Sequence, residues 1–486
     1  MFVAMPRRHL LILLAAFCVS LLVRWPLLNR PLSGHHELCT ALVLIALHNW
    51  HNDGFAAHHG APAITFTGPA DRIPPGYTDA PALHDGAFYY LSHPPLAFDL
   101  PHALFTVTGA APSALCLQLF NLVFHLTTAI GLYLIVRVVQ RKGPAPLFAA
   151  LLYLFMPAPL WFHGNAYMSD MFVQNAWVWH VLVALRALNS ERKASWRTAA
   201  WCTVTLFITT IISWPGLWAG IALGAIALWQ WRAMRDATRL RLVCAAALGV
   251  GAAIGYAAWR WLQVVDAGAL PTYFSGRYAE RGTASAHGTA SIFGMLVLNY
   301  RISWLPLLLP LALLLWKRKA IAFGSGAPWL FVALTGLPVL FEMLFLLEYT
   351  GHDFAALKAG LLLGGLGGLG LSGLTTRWSW AALIVTCATG VLYFYRTNPP
   401  RQVNEARFTW QMEQGMAIAN EARTDEMVFT LGFTPEPQVQ WYAKRTLFRV
   451  DDAERARELL DASGNRKGIV FRETTQGMIH ERITAE

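Results

Sequence analysis

The 486-residue chain carries 38 Lys and Arg against 28 Asp and Glu, a net charge of +10, yet only 14% of its residues are charged, well below the roughly 25% of a soluble globular protein. Residues 1–400 hold 26 basic and 14 acidic side chains, and the last 86 residues hold 12 and 14. This excludes an ordinary water-soluble enzyme: the first part reads as membrane and the tail as soluble, with the basic excess gathered at the ends of apolar segments rather than in a nucleic-acid-binding patch. The six cysteines show no CxxC or paired spacing, so neither a disulfide framework nor a thiolate metal site is indicated.

Apolar stretches long enough to cross about 30 Å of hydrocarbon fall near residues 9–28, 112–136, 144–163, 170–189, 197–213, 215–231, 240–263, 301–316, 326–347, 354–374 and 378–396. These eleven predict an all-α polytopic membrane protein over residues 1–396, followed by a small soluble α/β domain over 397–486. Arg7 and Arg8 precede the first run, as in a signal peptide. The run continues into Arg24-Trp25-Pro26 without a small-x-small cleavage site, so a retained anchor is expected.

Lys and Arg collect in alternate loops, at Arg137/Arg141/Lys142, Arg186/Arg192/Lys193/Arg197, Arg232/Arg235/Arg239/Arg241, Lys317/Arg318/Lys319 and Arg377. Positive loops stay cytoplasmic. The pattern therefore predicts a cytoplasmic N-terminus, an external tail, and a first outer loop over 29–111. That loop contains nine of the sixteen histidines. Within it, Glu37 to Leu47 reads as an amphipathic helix lying at the interface, and a second helix should follow His93-Pro94-Pro95. In the tail, residues 408–422 and 451–463 read as helices, 426–432 and 468–471 as strands, and 439–443 as the start of another short element.

Acidic groups in or beside membrane spans are functional candidates. On the outer side these are Glu37, Asp99, Asp170, Asp266, Glu348 and Asp353. Glu37 follows His35-His36 at a helix start, where the helix dipole would keep a carboxylate ionised. Asp170 sits where the third span turns back into the fourth; its bland reading is a first-turn helix acid. Arg260, Arg277, Arg281, Arg301 and Lys358 fall on or near the outer side, against the positive-inside trend, as does His352. A phosphate held at the membrane face would explain these cations, and snorkelling to headgroups is the alternative. Tyr89 and Tyr90, with His93 behind them, are candidate sugar platforms. A bound divalent cation could be held by His58, His59 and Glu37, although the spacing matches no strict metal signature.

The ordered set of motifs resembles the GT-C superfamily of membrane glycosyltransferases that use polyprenyl-phosphate sugars, such as protein O-mannosyltransferases and lipid A aminoarabinose transferases. The residues carrying it are Gly34-His35-His36-Glu37 opening the first loop, Tyr89-Tyr90-Leu91-Ser92-His93-Pro94-Pro95-Leu96 before the second span, Met168-Ser169-Asp170-Met171-Phe172 opening the fourth, Tyr349-Thr350-Gly351-His352-Asp353-Phe354 at a late turn, and Trp441-Tyr442-Ala443-Lys444-Arg445 in the tail. The resemblance implies transfer of a sugar from a polyprenyl-phosphate donor to a lipid, glycan or protein acceptor, at the outer face of a bacterial inner membrane. It also implies a first-loop Asp-Glu pair whose Asp is the base. Here the pair is His36-Glu37, which leaves either Glu37 or His36 for that role, with Asp170 as a further catalytic carboxylate. Two other readings are a transporter or flippase of lipid-linked sugars, for which the glycine run of residues 360–373 is the best argument, and a scaffold with a degenerate site.

Overall fold

The computed structural model describes residues 5–189, 195–230, 236–282, 289–317, 327–399, 405–474 and 477–485. The loop cations Arg192, Lys193, Arg232, Arg235, Arg318 and Lys319 lie outside the described residues.

The helices follow in order as α1 (Arg7–Arg24), α2 (Leu38–Asn52), α3 (Leu96–Thr108), α4 (Ala114–Val139), α5 (Ala145–Phe155), α6 (Pro157–Phe162), α7 (Ser169–Leu188), α8 (Trp196–Ile212), α9 (Pro215–Trp229), α10 (Asp236–Trp261), α11 (Ala269–Arg281), α12 (Thr289–Trp304), α13 (Leu308–Lys317), α14 (Ala327–Phe345), α15 (Gly360–Ser372) and α16 (Thr376–Thr397). Eight described segments are long and apolar enough to cross a membrane. Three further places in the expected set of eleven are taken by shorter apolar helices, α5, α8 and α9. Local chemistry sets the ends. Ser113, in extended conformation, caps α4 by accepting from the Cys116 amide at 3.3 Å, and Pro215 occupies the first turn of α9, where its missing N–H costs nothing. Met156-Pro157 breaks the third apolar run into α5 and α6, because proline cannot continue the hydrogen-bond ladder.

The glycine run has a packing explanation. A Cβ on Gly368 would stand 2.5 Å from the Ala149 backbone nitrogen, and one on Gly367 2.9 Å from the Leu152 side chain. Only glycine lets α15 lie this close to α5, the usual use of small residues between membrane helices.

Helix α2 departs from the expected interfacial helix. Cys39, Thr40, Ala41, Val43, Leu44, Ile45, Ala46, Leu47, Asn49 and Trp50 are all buried, a distribution that wraps the helix rather than forming one apolar stripe. The cover comes partly from the tail: Gln438 donates to the Ser33 carbonyl at 2.5 Å and the Leu32 amide donates to Tyr442 Oη at 2.7 Å. Elsewhere in the loop, β1 (Leu83–His84) and β2 (Ala87–Phe88) form a hairpin around Asp85-Gly86, both at positive φ as a type I′ turn requires.

The tail contains α17 (Ala406–Glu421), β3 (Met427–Leu431), α18 (Pro437–Ala443), β4 (Leu447–Val450), α19 (Ala453–Ser463), β5 (Lys467–Thr474) and β6 (Gly477–Thr484). The sheet order is β4-β3-β5-β6, with β3 parallel to both neighbours and β6 antiparallel to β5. Strands β4 and β6 were not expected from the sequence; the first is four residues long and the second carries His480, Glu481 and Arg482. Asp71 of the first loop accepts from Arg445 Nε at 2.9 Å, tying loop to tail.

Candidate active site

Asp170 lies in the first turn of α7 and is 5% exposed. Lys358 reaches it from the 3₁₀ segment Asp353–Ala359 that leads into α15, placing Nζ 2.9 Å from Asp170 Oδ1 and 2.8 Å from Glu342 Oε1 of α14. Ser213 donates to Asp170 Oδ1 at 3.0 Å, and His93 Nε2 stands 3.5 Å from Oδ2. Tyr90 stacks on His93, with centroids 6.0 Å apart at 18°. Burial, reinforced by Lys358, Arg281 and Arg277 and opposed by Asp170, holds His93 down at about 4, so its imidazole is neutral at ordinary pH.

A second polar group is built by the first loop. His35 and His36 are consecutive non-glycine residues at φ +53 and +65, a left-handed conformation that persists only where surrounding contacts impose it. The contact is Asp353: His35 Nε2 lies 2.7 Å from Oδ2 and His36 Nε2 2.9 Å from Oδ1. His35 is further held by Asn398 Oδ1 at 3.0 Å and by stacking on Trp161 at 4.7 Å. His36 is 23% exposed and packs edge-on against Phe354.

The two groups are connected. His36 and His352 rings are 5.8 Å apart, His352 Nε2 is 3.6 Å from Glu348 Oε1, and Glu348 Oε2 is 3.1 Å from Arg281 Nε. Arg281 and Arg277, one turn apart on α11, edge a cavity of about 280 Å³ otherwise lined mainly by Trp214, Leu217, Phe345, Leu346 and Tyr349. The Tyr349 ring also lies 4.5 Å from Lys358 Nζ, so one side chain separates the cavity from the buried carboxylates.

Several expected roles are corrected. Glu37 is 1% exposed, and its carboxylate takes Arg30 Nη2 at 2.9 Å, the Ser33 amide at 2.8 Å and Ser33 Oγ at 3.3 Å. Burial raises its pKa while Arg30 and Ser33 pull it back. Its acceptor capacity is spent on its own loop, and it is poorly placed to act as a base. Lys358 is enclosed between two carboxylates, which leaves it no room for a carrier phosphate. Arg301 is exposed on α12 and outside the cavity lining. Arg260 is buried and neither snorkels nor faces the cavity, pairing with Asp99 at 3.1 and 3.2 Å. Tyr89 is buried against His58, whose Nδ1 lies 3.3 Å from its hydroxyl. The expected metal ligands do not meet. Glu37 and His58 flank opposite ends of α2, whose 15 residues span about 22 Å at 1.5 Å per residue. His58 instead contacts Asp53 at 3.1 Å and His59 is exposed; among the described residues no group of three His, Cys, Asp or Glu is arranged to hold a metal.

Sequence reasoning overlooked Glu342, although a lone carboxylate inside an apolar span is itself a signal. It also gave Ser213 no role, and took Tyr349 and Asp353 as members of the Tyr349–Phe354 motif, with Asp353 also among the outer acids, without assigning either a contact. These become visible through contacts between distant segments.

No family model matches the sequence, and no curated protein matches it in sequence. Solved structures do match in shape. ArnT from Cupriavidus metallidurans bound to undecaprenyl phosphate superposes with a TM-score of 0.63 at 13% identity, over 96% of this chain and 93% of that one. The oligosaccharyltransferase AglB from Archaeoglobus fulgidus, in complex with an inhibitory peptide and a dolichol-phosphate, gives 0.55 at 12% identity, over 99% and 74%. The chain shares the fold of these two solved structures. In this chain the opening of the first loop, the start of α7 and the segment before α15 come together around Asp353, Lys358 and Asp170.

Proposed function

We propose that the protein transfers a sugar from a polyprenyl-phosphate-linked donor to an acceptor hydroxyl at the outer membrane face. The observation that carries this reading is the cavity itself: an apolar, aromatic-walled hollow with Arg277 and Arg281 at its edge, adjoining the imidazole–carboxylate group. Apolar walls suit the first isoprene units, and guanidinium groups suit the phosphate.

In the reaction the acceptor oxygen attacks the anomeric carbon while the bond from that carbon to the phosphate oxygen breaks. The electron pair leaves with the polyprenyl phosphate, whose charge Arg277 and Arg281 stabilise. The acceptor proton passes to His36, which Asp353 orients through Nε2; a carboxylate-held imidazole is a suitable general base. Asp170, Lys358 and Glu342 form the buried floor beneath Tyr349 and fix the start of α7. No step is routed through a divalent ion, since the residues expected to hold one lie apart. With the Lys and Arg bias setting orientation, the site and tail face outward from a bacterial inner membrane, and the acceptor is a lipid, glycan or protein.

The test is native mass spectrometry of the purified protein offered undecaprenyl phosphate and an excess of phosphatidylglycerol. Selective retention of undecaprenyl phosphate by the wild type, lost in Arg277→Ala/Arg281→Ala, is expected. Equal retention of both lipids would remove the cavity from the argument. A reporter fused after Glu486 should lie outside the cytoplasm.

A further inference from the structure

The tail holds a second crevice that the transfer reaction does not use. Strand β3 has β4 on one side and β5 on the other, all parallel, so the chain leaves β3 in one direction through α18 and returns past it through α19. The two helices lie on opposite faces. Ala456, Leu459 and Leu460 of α19 pack with Met427, Phe429 and Val470, whereas Val439 and Ala443 of α18 pack with Val428, Ile469 and Phe471. Open sheets of this kind form a ligand crevice outside the carboxyl ends of the strands, where successive connections diverge.

A hollow of about 390 Å³ lies at that place, edged by Gly432 after β3, Arg449 and Asp451 at the end of β4, and Arg472 and Glu473 in β5. Gly432 has φ +83 with open space around it; glycine turns the chain away there without a side chain to fill the hollow. The hydrogen-bonding capacity of the edge is largely unspent. Arg449 donates to Thr434 Oγ1 at 2.8 Å, while Asp451, Arg472 and Glu473 make no side-chain hydrogen bond or ion pair among the described residues. Two guanidinium groups and two carboxylates around one hollow match a ligand with an anionic group and several hydroxyls.

We propose that this crevice binds an anionic saccharide, Arg472 receiving its phosphate or carboxylate from one face of the sheet while Arg449 and Glu473 from the other face, with Asp451, hydrogen-bond its ring hydroxyls. The binding proposed here does not depend on the transferase reading.

The experiment uses the full chain in nanodiscs, titrated with glucose 1-phosphate, methyl glucoside and inorganic phosphate, with isothermal titration calorimetry as the readout. Glucose 1-phosphate is expected to bind most tightly, and R472Q to weaken it about tenfold, the loss of one charge-assisted contact. R457Q, an exposed α19 position outside the hollow, should leave it unchanged. Absence of glucose 1-phosphate binding, equal affinity in R472Q, or inorganic phosphate binding as tightly as the sugar phosphate would each overturn the proposal. Undecaprenyl phosphate binding is measured in parallel: its failure beside intact, R472Q-sensitive glucose 1-phosphate binding would sink the transferase reading and leave the crevice standing.

Discussion

Lys358 and Asp170, 188 positions apart in sequence, meet at 2.9 Å with the lysine fully buried. Glu342 takes the other side of the same ammonium at 2.8 Å. Removing one partner of a buried ion pair leaves an uncompensated charge, which costs about 3–5 kcal/mol. Lys358→Met should therefore lower the thermal unfolding temperature in detergent sharply, and adding Asp170→Asn and Glu342→Gln to the same chain should restore most of it. If the triple variant is no more stable than Lys358→Met, the three groups do not act as a unit.

Glu37→Gln should be a folding variant. It strands the buried Arg30 guanidinium and is expected to cost about 3 kcal/mol, while transfer per folded molecule stays within about threefold, less than the loss of a general base. A fully folded Glu37→Gln protein that has lost transfer would reinstate the glutamate as the base.

For His36→Asn, loss of the base predicts a fall of about 10²–10⁴ in transfer rate, with undecaprenyl phosphate binding preserved. Asp353→Asn should follow in the same direction, because it releases both imidazoles. The readout is single-turnover release of polyprenyl phosphate beside equilibrium binding; a parallel loss of binding would mean that the histidines shape the donor site instead.

Arg281→Ala should weaken lipid-phosphate binding by about 1.5–3 kcal/mol. Arg281→Lys should recover only part, since a point charge replaces a bidentate fork. Arg301→Ala, outside the cavity, should bind as the wild type does; a loss there equal to that of Arg281→Ala would move the phosphate site along α12.

His93 sets a pH dependence. Its folded pKa of about 4 lies below the roughly 6.5 of an unfolded histidine, so between these values the unfolded chain binds the extra proton. The contribution is fully present above about pH 6.5 and is lost as pH falls toward 4. Asp170, Lys358, Arg277 and Arg281 act on this imidazole, and Ser213 and Tyr90 touch it. His93→Gln should flatten the stability profile over that window in thermal unfolding; an unchanged slope would show that His93 is protonated in the folded state.

Local sequence patterns are enough to give the class of molecule and the places where chemistry could sit. Apolar run length, charge at the ends of runs and proline or glycine punctuation are local properties, and they read correctly as membrane helices with a small α/β tail. They also marked Asp170, His36, Arg277 and Arg281, because an ionisable group beside an apolar run is costly wherever the chain folds. Pairing is not local. Whether Glu37 is a base or the partner of Arg30, whether Lys358 meets a phosphate or two carboxylates, and whether α2 lies on a membrane or beneath the tail all depend on segments tens to hundreds of residues away. Only the packed bundle decides these, because a buried charge takes its character from whatever shares its low-dielectric surroundings.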